Sequence, residues 1–294
     1  MNLGGTVAYN GLSINTVTRQ AGGLPASGYA VERFAPEPPP PTTYYEKRAL
    51  ADGMDAGDVY LGGREFGLIV TAYGTSAGDF WDKTQALFSA FNPTIVYEAN
   101  STVAGFIPFT FFQPTADVSS WPTSAYPNGI PMQYFMRPMA GPSYVIERDL
   151  DGGATTAPRS KTFNIRMIAR NPRKVHSTEI SATITTALQT ATYRGDYPYP
   201  PIVQFSKTTG GSNTAFKIIV DGFSTIIDIS PFSTGTFQLD YDKRTFQNVT
   251  AGTYHPGNIS QLDGWPEIDS GSTFKLENPT DALNPTLRYY EAFA

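Results

Sequence analysis

The sequence predicts a mainly β protein in two domains, a β module carrying one helix and then an antiparallel β-sandwich. Three observations carry that expectation. Glycine and proline are abundant, at 27 and 24 of 294 residues, which favours short strands and turns over helix bundles. A single stretch, residues 76–91, puts Phe80, Thr84, Leu87, Phe88 and Phe91 on one helical face, with Trp81 flanking it. Residues 201–246 hold four strand candidates divided by glycine and proline turns, the regular spacing of an antiparallel sandwich.

Taken in order, residues 1–31 contain short alternating segments such as Thr6-Val7-Ala8-Tyr9, broken by glycine pairs. Residues 33–45 follow, with Phe34, a proline run from Pro36 to Pro41, then Tyr44 and Tyr45. Prolines lack the donors of a central strand and favour polyproline II, so this segment can extend by roughly 40 Å. It reads either as an arm reaching a neighbouring subunit or as a solvated linker. Val59-Tyr60-Leu61 and residues 66–70 read as strand–turn–strand around Gly62-Gly63. In the helix, Ser76 is placed to cap the first-turn amides and Asp79 sits at the positive end of the dipole. Asn92-Pro93 is expected to end it, because a residue before proline is pushed out of the α region. Thr94-Ile95-Val96-Tyr97 then reads as a strand.

Residues 105–145 mix Phe106, Phe109, Phe111, Phe112, Trp121, Tyr126, Met132, Tyr134, Phe135, Met136 and Met139 with prolines, without steady periodicity. That much apolar surface exceeds what a monomer usually leaves exposed. The stretch reads as an irregular excursion that either folds back on its own domain or packs between subunits, and the second is expected. The candidate interface residues are therefore Phe34, Tyr44, Tyr45, Phe109, Phe111, Phe112, Trp121, Tyr134 and Phe135. Residues 163–169 alternate as a half-buried strand. After His176 the texture changes to small and β-branched residues over 179–192. Strands are expected at 202–205, 215–220, 224–229 and 236–241, and a closing strand within 286–293. The domains are placed at 1–176 and 177–294.

The formal net charge is −5, and no basic stripe is present, so tight binding of duplex nucleic acid is not expected. Cysteine is absent, which rules out disulfides, thiolate nucleophiles and cysteine metal sites. Apolar runs are of strand length, so no membrane insertion is expected, and the first residues lack the pattern of an export leader. Neither histidine, His176 or His255, lies near a Gly-x-Ser-x-Gly turn, so a Ser-His-Asp site is not expected. Glu147, Asp149, Asp151, Asp240 and Asp242 are carboxylates of the kind a glycosidase pairs across a sugar cleft. Residues 147–153 lack the later acidic ligand of a full calcium loop and read as a solvated turn. Arg194-Gly195-Asp196 is given no role. No phosphate-binding glycine fingerprint occurs. No catalytic residue, metal site or cofactor is expected.

The order of these landmarks resembles a siphophage distal tail protein. In that family the first domain ends near an Ala-x-Asp-Pro-Arg-like sequence. Here the position reads Ala169-Arg170-Asn171-Pro172-Arg173, with asparagine for the usual aspartate. The family's second domain is galectin-like and opens on glycine and proline before its first strand, a place that Gly195-Asp196-Tyr197-Pro198-Tyr199-Pro200 occupies. Residues 265–276, from Trp265 to Leu276, resemble the aromatic and glycine turn before the closing strand, and Leu287-Arg288-Tyr289-Tyr290 resembles that strand. The resemblance implies a non-enzymatic virion protein, made in the host cytoplasm, with a tail-tube-like first domain and a galectin-like second domain. It implies a homo-oligomer, expected to be a hexamer ring, joining the tail tube protein to the tail-tip hub and meeting the tape measure protein. DNA would pass through its central channel without specific binding. The 33–45 arm and the 105–145 excursion depart from the family pattern as insertions. The alternative implied is a receptor- or carbohydrate-binding tail protein. For that role Trp265 is the stacking candidate, although its neighbours offer few donors and a place at the sandwich edge is expected. A carbohydrate hydrolase is a third class.

Overall fold

The structure, a computed structural model, describes residues 4–17, 27–36, 41–47, 54–61, 63–113, 129–145, 159–207, 215–232, 234–277 and 284–293. The chain divides into two compact units, Met1–Lys174 and Val175–Ala294, and both are mainly β.

The strands of the first unit are β1 (Gly4–Tyr9), β2 (Leu12–Ser13), β3 (Gly28–Pro36), β4 (Pro41–Lys47), β5 (Met54–Leu61), β6 (Arg64–Gly74), β7 (Ile107–Gln113), β8 (Ile130–Pro138), β9 (Ser143–Tyr144) and β10 (Arg159–Ala169). Its helices are α1 (Ala77–Ala90) and α2 (Pro93–Ala99). A sheet runs β2-β1-β7-β8-β10-β6-β3, and among the described residues β4 pairs only with β5. The β1–β2 turn is Asn10-Gly11, with φ of 47° and 76°, the left-handed pair that two-residue hairpins require.

One face of this sheet is continuous core. Phe66, Leu68 and Val70 of β6 stand beside Met167, Ile165 and Phe163 of β10, and all six are buried. Phe34, on edge strand β3, stacks on Phe109 of β7 with centroids 5.1 Å apart, although β6, β10 and β8 lie between them in the sheet. The sheet must therefore curl until its inner face meets itself. Residues 14–17 help to close the gap, because Thr16 N–H donates to the Tyr29 carbonyl at 2.9 Å and Ile14 N–H to the Val7 carbonyl at 2.8 Å. Helix α1 packs on this face through Phe91, stacked on Tyr9 at 4.9 Å, and through Phe88, edge-on to Phe163 at 5.7 Å. Gly74 is required where β6 turns into α1, since a Cβ there would lie 2.4 Å from the Phe80 backbone.

Three sequence expectations are corrected. Residues 94–97 are helical, so the module carries two α-helices. Asn92-Pro93 starts α2 as well as following α1: the Asn92 side chain accepts from Thr94 N and Ile95 N, and Pro93 takes the first turn, where its missing N–H costs nothing. The excursion at 105–145 contains β7 and β8, a regular antiparallel pair with Phe109 opposite Tyr134 and Phe111 opposite Met132. Of its described prolines, Pro108 lies past the β1 pairing, and Pro131 lies on a part of β8 that β10 does not reach. The proline-rich arm is not one polyproline segment. Phe34 and Pro36 belong to β3 and Pro41–Lys47 to β4, while residues 37–40 lie outside the described residues. The strands expected around Gly62-Gly63 are β5 and β6, and β5 pairs with β4.

The second unit begins one residue into β11 (Lys174–His176), which pairs with β23 (Ala292–Phe293). It is an antiparallel β-sandwich. One sheet contains β12 (Ile180–Thr183), β22 (Thr286–Tyr289), β14 (Ile202–Lys207), β17 (Gly235–Asp240), β18 (Thr245–Asn248) and β19 (Thr253–Tyr254), in that order. The other contains β13 (Gln189–Thr190), β21 (Thr273–Glu277), β15 (Ala215–Val220), β16 (Phe223–Asp228) and β20 (Ile259–Leu262). Alternate residues of both sheets fill the space between them. Phe205 of one sheet meets Phe216 of the other edge-on at 4.7 Å, a contact worth about 0.5–1.5 kcal/mol beyond area burial. Tyr241 spans the sandwich to share a buried hydrogen bond with the Thr225 hydroxyl at 2.9 Å, and burial pushes its phenol up to about 12.

Candidate functional site

The expected interface residues separate into three groups. Phe34, Phe109, Phe111 and Tyr134 are 0–1% exposed and pack into one ring cluster, with Phe111 stacked on Tyr134 at 5.7 Å and Phe66 joining Tyr134 at 4.6 Å. They form the interior of the first unit and offer nothing to a neighbouring copy. The alternation along β7 that buries them is period two, which the intervening prolines obscure. Phe112 and Phe135 point to the opposite face and are half-buried, beside Pro131 and Pro108. Tyr44 and Tyr45 lie on β4, where the backbone alone is described, and Trp121 lies outside the described residues.

The exposed apolar groups of the first unit are elsewhere. Trp81, on the outer side of α1, is 60% exposed, and Tyr144, on the short β9, is 54% exposed. Phe88, two turns along the helix from Trp81, lies 6.4 Å from the Tyr144 ring, and the Lys161 ammonium sits 5.0 Å above that ring. A second surface centres on α2. Val96 is buried, which leaves Ile95 and Tyr97 turned outward. A shallow cleft of about 600 Å³ lies between α2 and the end of β8, lined by Pro93, Tyr97, Pro138, Met139 and Ile168. At its margin the Arg137 guanidinium covers Phe106 at 4.8 Å and donates to the Ala104 carbonyl at 3.3 Å. Sequence reading missed Ile95 and Tyr97 because it treated Asn92-Pro93 only as a stop. An asparagine cap followed by proline at the first helical position was the available signal.

Trp265 packs against the sandwich core. Tyr241 meets it edge-on at 6.1 Å, and the Arg244 guanidinium lies 5.3 Å over its ring. Part of the surface on which a sugar would stack is thus already covered. His176 is buried on β11, where its Nδ1 accepts from Thr178 N at 3.3 Å, and burial holds its pKa below the usual imidazole range. His255 shares a hydrogen bond with the Thr253 hydroxyl at 2.8 Å. Glu291, 5% exposed, accepts from Arg194 N at 2.9 Å; burial raises its pKa, and Arg194 partly offsets that shift. Asp240 is tied to Lys243 through both carboxylate oxygens, at 3.0 and 3.2 Å. Gly195 of the Arg-Gly-Asp triplet is crowded by strand β23, since a Cβ there would lie 2.5 Å from the Ala292 carbonyl oxygen. Glu147, Asp149 and Asp151 lie outside the described residues. Among the described residues no group of His, Asp or Glu is arranged to hold a metal ion. No helix among them is long and apolar enough to cross a membrane.

No protein-family model and no curated protein matches the chain. Its structure is similar to that of SPP1 Dit (gp 19.1), a paradigm of the hub adsorption apparatus in phages infecting Gram-positive bacteria. The TM-score is 0.56 at 16% identity, over 98% of this chain and 99% of that one. Chains of the phage P2 baseplate in its activated conformation with Ca and with Sr align with TM-scores of 0.40 and 0.39, at 7% and 8% identity, over 90% and 89% of this chain and 90% of each of those. The chain has the fold of SPP1 Dit.

Proposed function

We propose that this chain, built on the SPP1 Dit fold from end to end, is itself a distal tail protein of a phage: a structural virion component that joins the tail tube to the tail tip. The supporting observation is the coverage of the match, 98% of one chain and 99% of the other, which takes in both units in sequence order.

Assembly is the mechanism. The first unit leaves two unlike apolar surfaces in water, one on α1 and β9 and one on α2 and β8. Unlike surfaces that bind head to tail generate a closed ring when the rotation permits. The β4–β5 ribbon is the second contributor. Its first pair, Pro41 with Leu61, keeps the register of the last β3–β6 pair, Pro36 with Phe66. A two-stranded ribbon is marginally stable in water and gains by lying on another surface. In this reading the ribbon rests on the adjacent copy of a six-fold ring. The tail tube protein docks above, the tail-tip hub below, and the tape measure protein and DNA pass through the centre. The negative balance of the chain, −5, suits a channel wall that releases DNA, because each phosphate neutralised by Lys or Arg would displace counterions and strengthen retention.

Gold-labelled antibody against the chain should decorate intact particles at the end of the tail remote from the head. Label on the capsid, along the tube, or on no particle at all would contradict the assignment.

A further inference from the structure

One exposed thioether lines the α2–β8 cleft. Among the methionines whose side chains are described, Met139 is 43% exposed, whereas Met132, Met136 and Met167 are each 0% exposed in the core of the first unit. The alternation along β8 accounts for two of those three. Met132 and Met136 share the inward-facing set of the strand with Tyr134, and Met139 follows the strand's end at Pro138. The backbone of Met139 is nevertheless held, because its N–H donates to the Arg166 carbonyl of β10 at 2.9 Å. A fixed backbone thus presents a partly solvated sulfur side chain among Pro93, Tyr97, Pro138 and Ile168.

The chain has no cysteine, so methionine sulfur is the group that a peroxide attacks most readily, and susceptibility follows exposure. The sulfur lone pair bonds to one oxygen of hydrogen peroxide as the O–O bond breaks. The departing hydroxide takes the proton of the transferred oxygen and leaves as water. Sulfur is oxidised by two electrons, the peroxide is reduced, and the side chain becomes a sulfoxide. A flexible apolar group has then turned into a polar one.

We propose that Met139 is a peroxide-sensitive modification site whose sulfoxide disables the α2–β8 surface for a neighbouring copy. The site itself stands on exposure and placement, and the loss of docking rests on the head-to-tail assembly described above. Covering the cleft buries the new oxygen against an apolar lining, where an acceptor without a donor is costly. Arg137, at the margin, is already engaged by the Ala104 carbonyl at 3.3 Å and the Phe106 ring at 4.8 Å. The modification acts before assembly, because a copy seated in the cleft shields the sulfur. Folding is untouched, since Met139 lies outside the core.

The test treats dilute full-length protein with hydrogen peroxide, maps the oxidised residues by peptide mass spectrometry, and sediments treated and untreated samples side by side. Met139 should gain its oxygen about tenfold or more faster than Met132, Met136 and Met167, with the melting curve unchanged. The oxidised protein should associate about tenfold more weakly, as expected for an unsatisfied acceptor in a contact. Methionine sulfoxide reductases should restore association. In Met139→Leu, treated and untreated samples of the variant should sediment alike. Oxidation no faster at Met139 than at the core methionines, selective oxidation that leaves association unchanged, or equal peroxide sensitivity in Met139→Leu would overturn the proposal. Untreated wild-type protein that never associates would contradict the head-to-tail assembly and overturn the loss of docking with it.

Discussion

Phe34→Ala should destabilise the first unit by about 3–5 kcal/mol, the range for removing a buried phenylalanine. The ring is 1% exposed and contacts four others: Phe66 at 5.2 Å, Phe109 at 5.1 Å, Phe111 at 5.8 Å and Tyr134 at 6.5 Å. Those partners come from β6, β7 and β8, so one truncation opens a cavity where both limbs of the curled sheet meet. Domains are commonly stable by only about 5–15 kcal/mol, and the loss is a large share of that. Equilibrium denaturation with hydrogen exchange resolved by segment should show lowered protection across 63–113 and 129–138, with 202–277 unaffected. Phe34→Leu should retain part of the stability. A subunit-interface phenylalanine would behave in the opposite way, leaving the isolated chain as stable as wild type and weakening only its association.

Replacing residues 41–61 with a short glycine-rich turn should abolish assembly while both units stay folded. The β3–β6 ladder and the inner-face ring cluster lie outside the deleted segment, so the first unit keeps its core. What it loses is a two-stranded ribbon, which is marginally stable alone. Sedimentation of the variant beside wild type gives the answer. A particle of wild-type size would remove the ribbon from the assembly mechanism, and a collapsed first unit would make it part of the fold.

The local grammar of the fold was legible where one short-range signal sufficed. Strict alternation marks β10, Ser76 and Asp79 mark the start of α1, and Asp221-Gly222, with φ of 50° and 82°, closes the β15–β16 hairpin. Reading failed where two signals competed. Asn-Pro both follows one helix and begins the next, and the dihedral bias against helix before proline was given weight that belonged to the capping side chain. In 105–145 the prolines broke the apparent periodicity, although Pro108 and Pro131 lie within the β7–β8 ladder. That error carried over to the site, because aromatics that seemed stranded without structure were assigned to a neighbouring copy when they were core. The apolar groups that are exposed, Trp81, Tyr97 and Tyr144, looked unremarkable singly, since only the packing of α1, α2 and β9 gathers them.

The central claim is that this chain completes itself only among copies of itself. Native mass measurement of the purified full-length protein, with negative-stain images of the same sample, tests it most directly. The account predicts a single closed ring of hexamer mass with a central opening. A monodisperse monomer persisting at the highest attainable concentration, with no annular particles in the images, would contradict it.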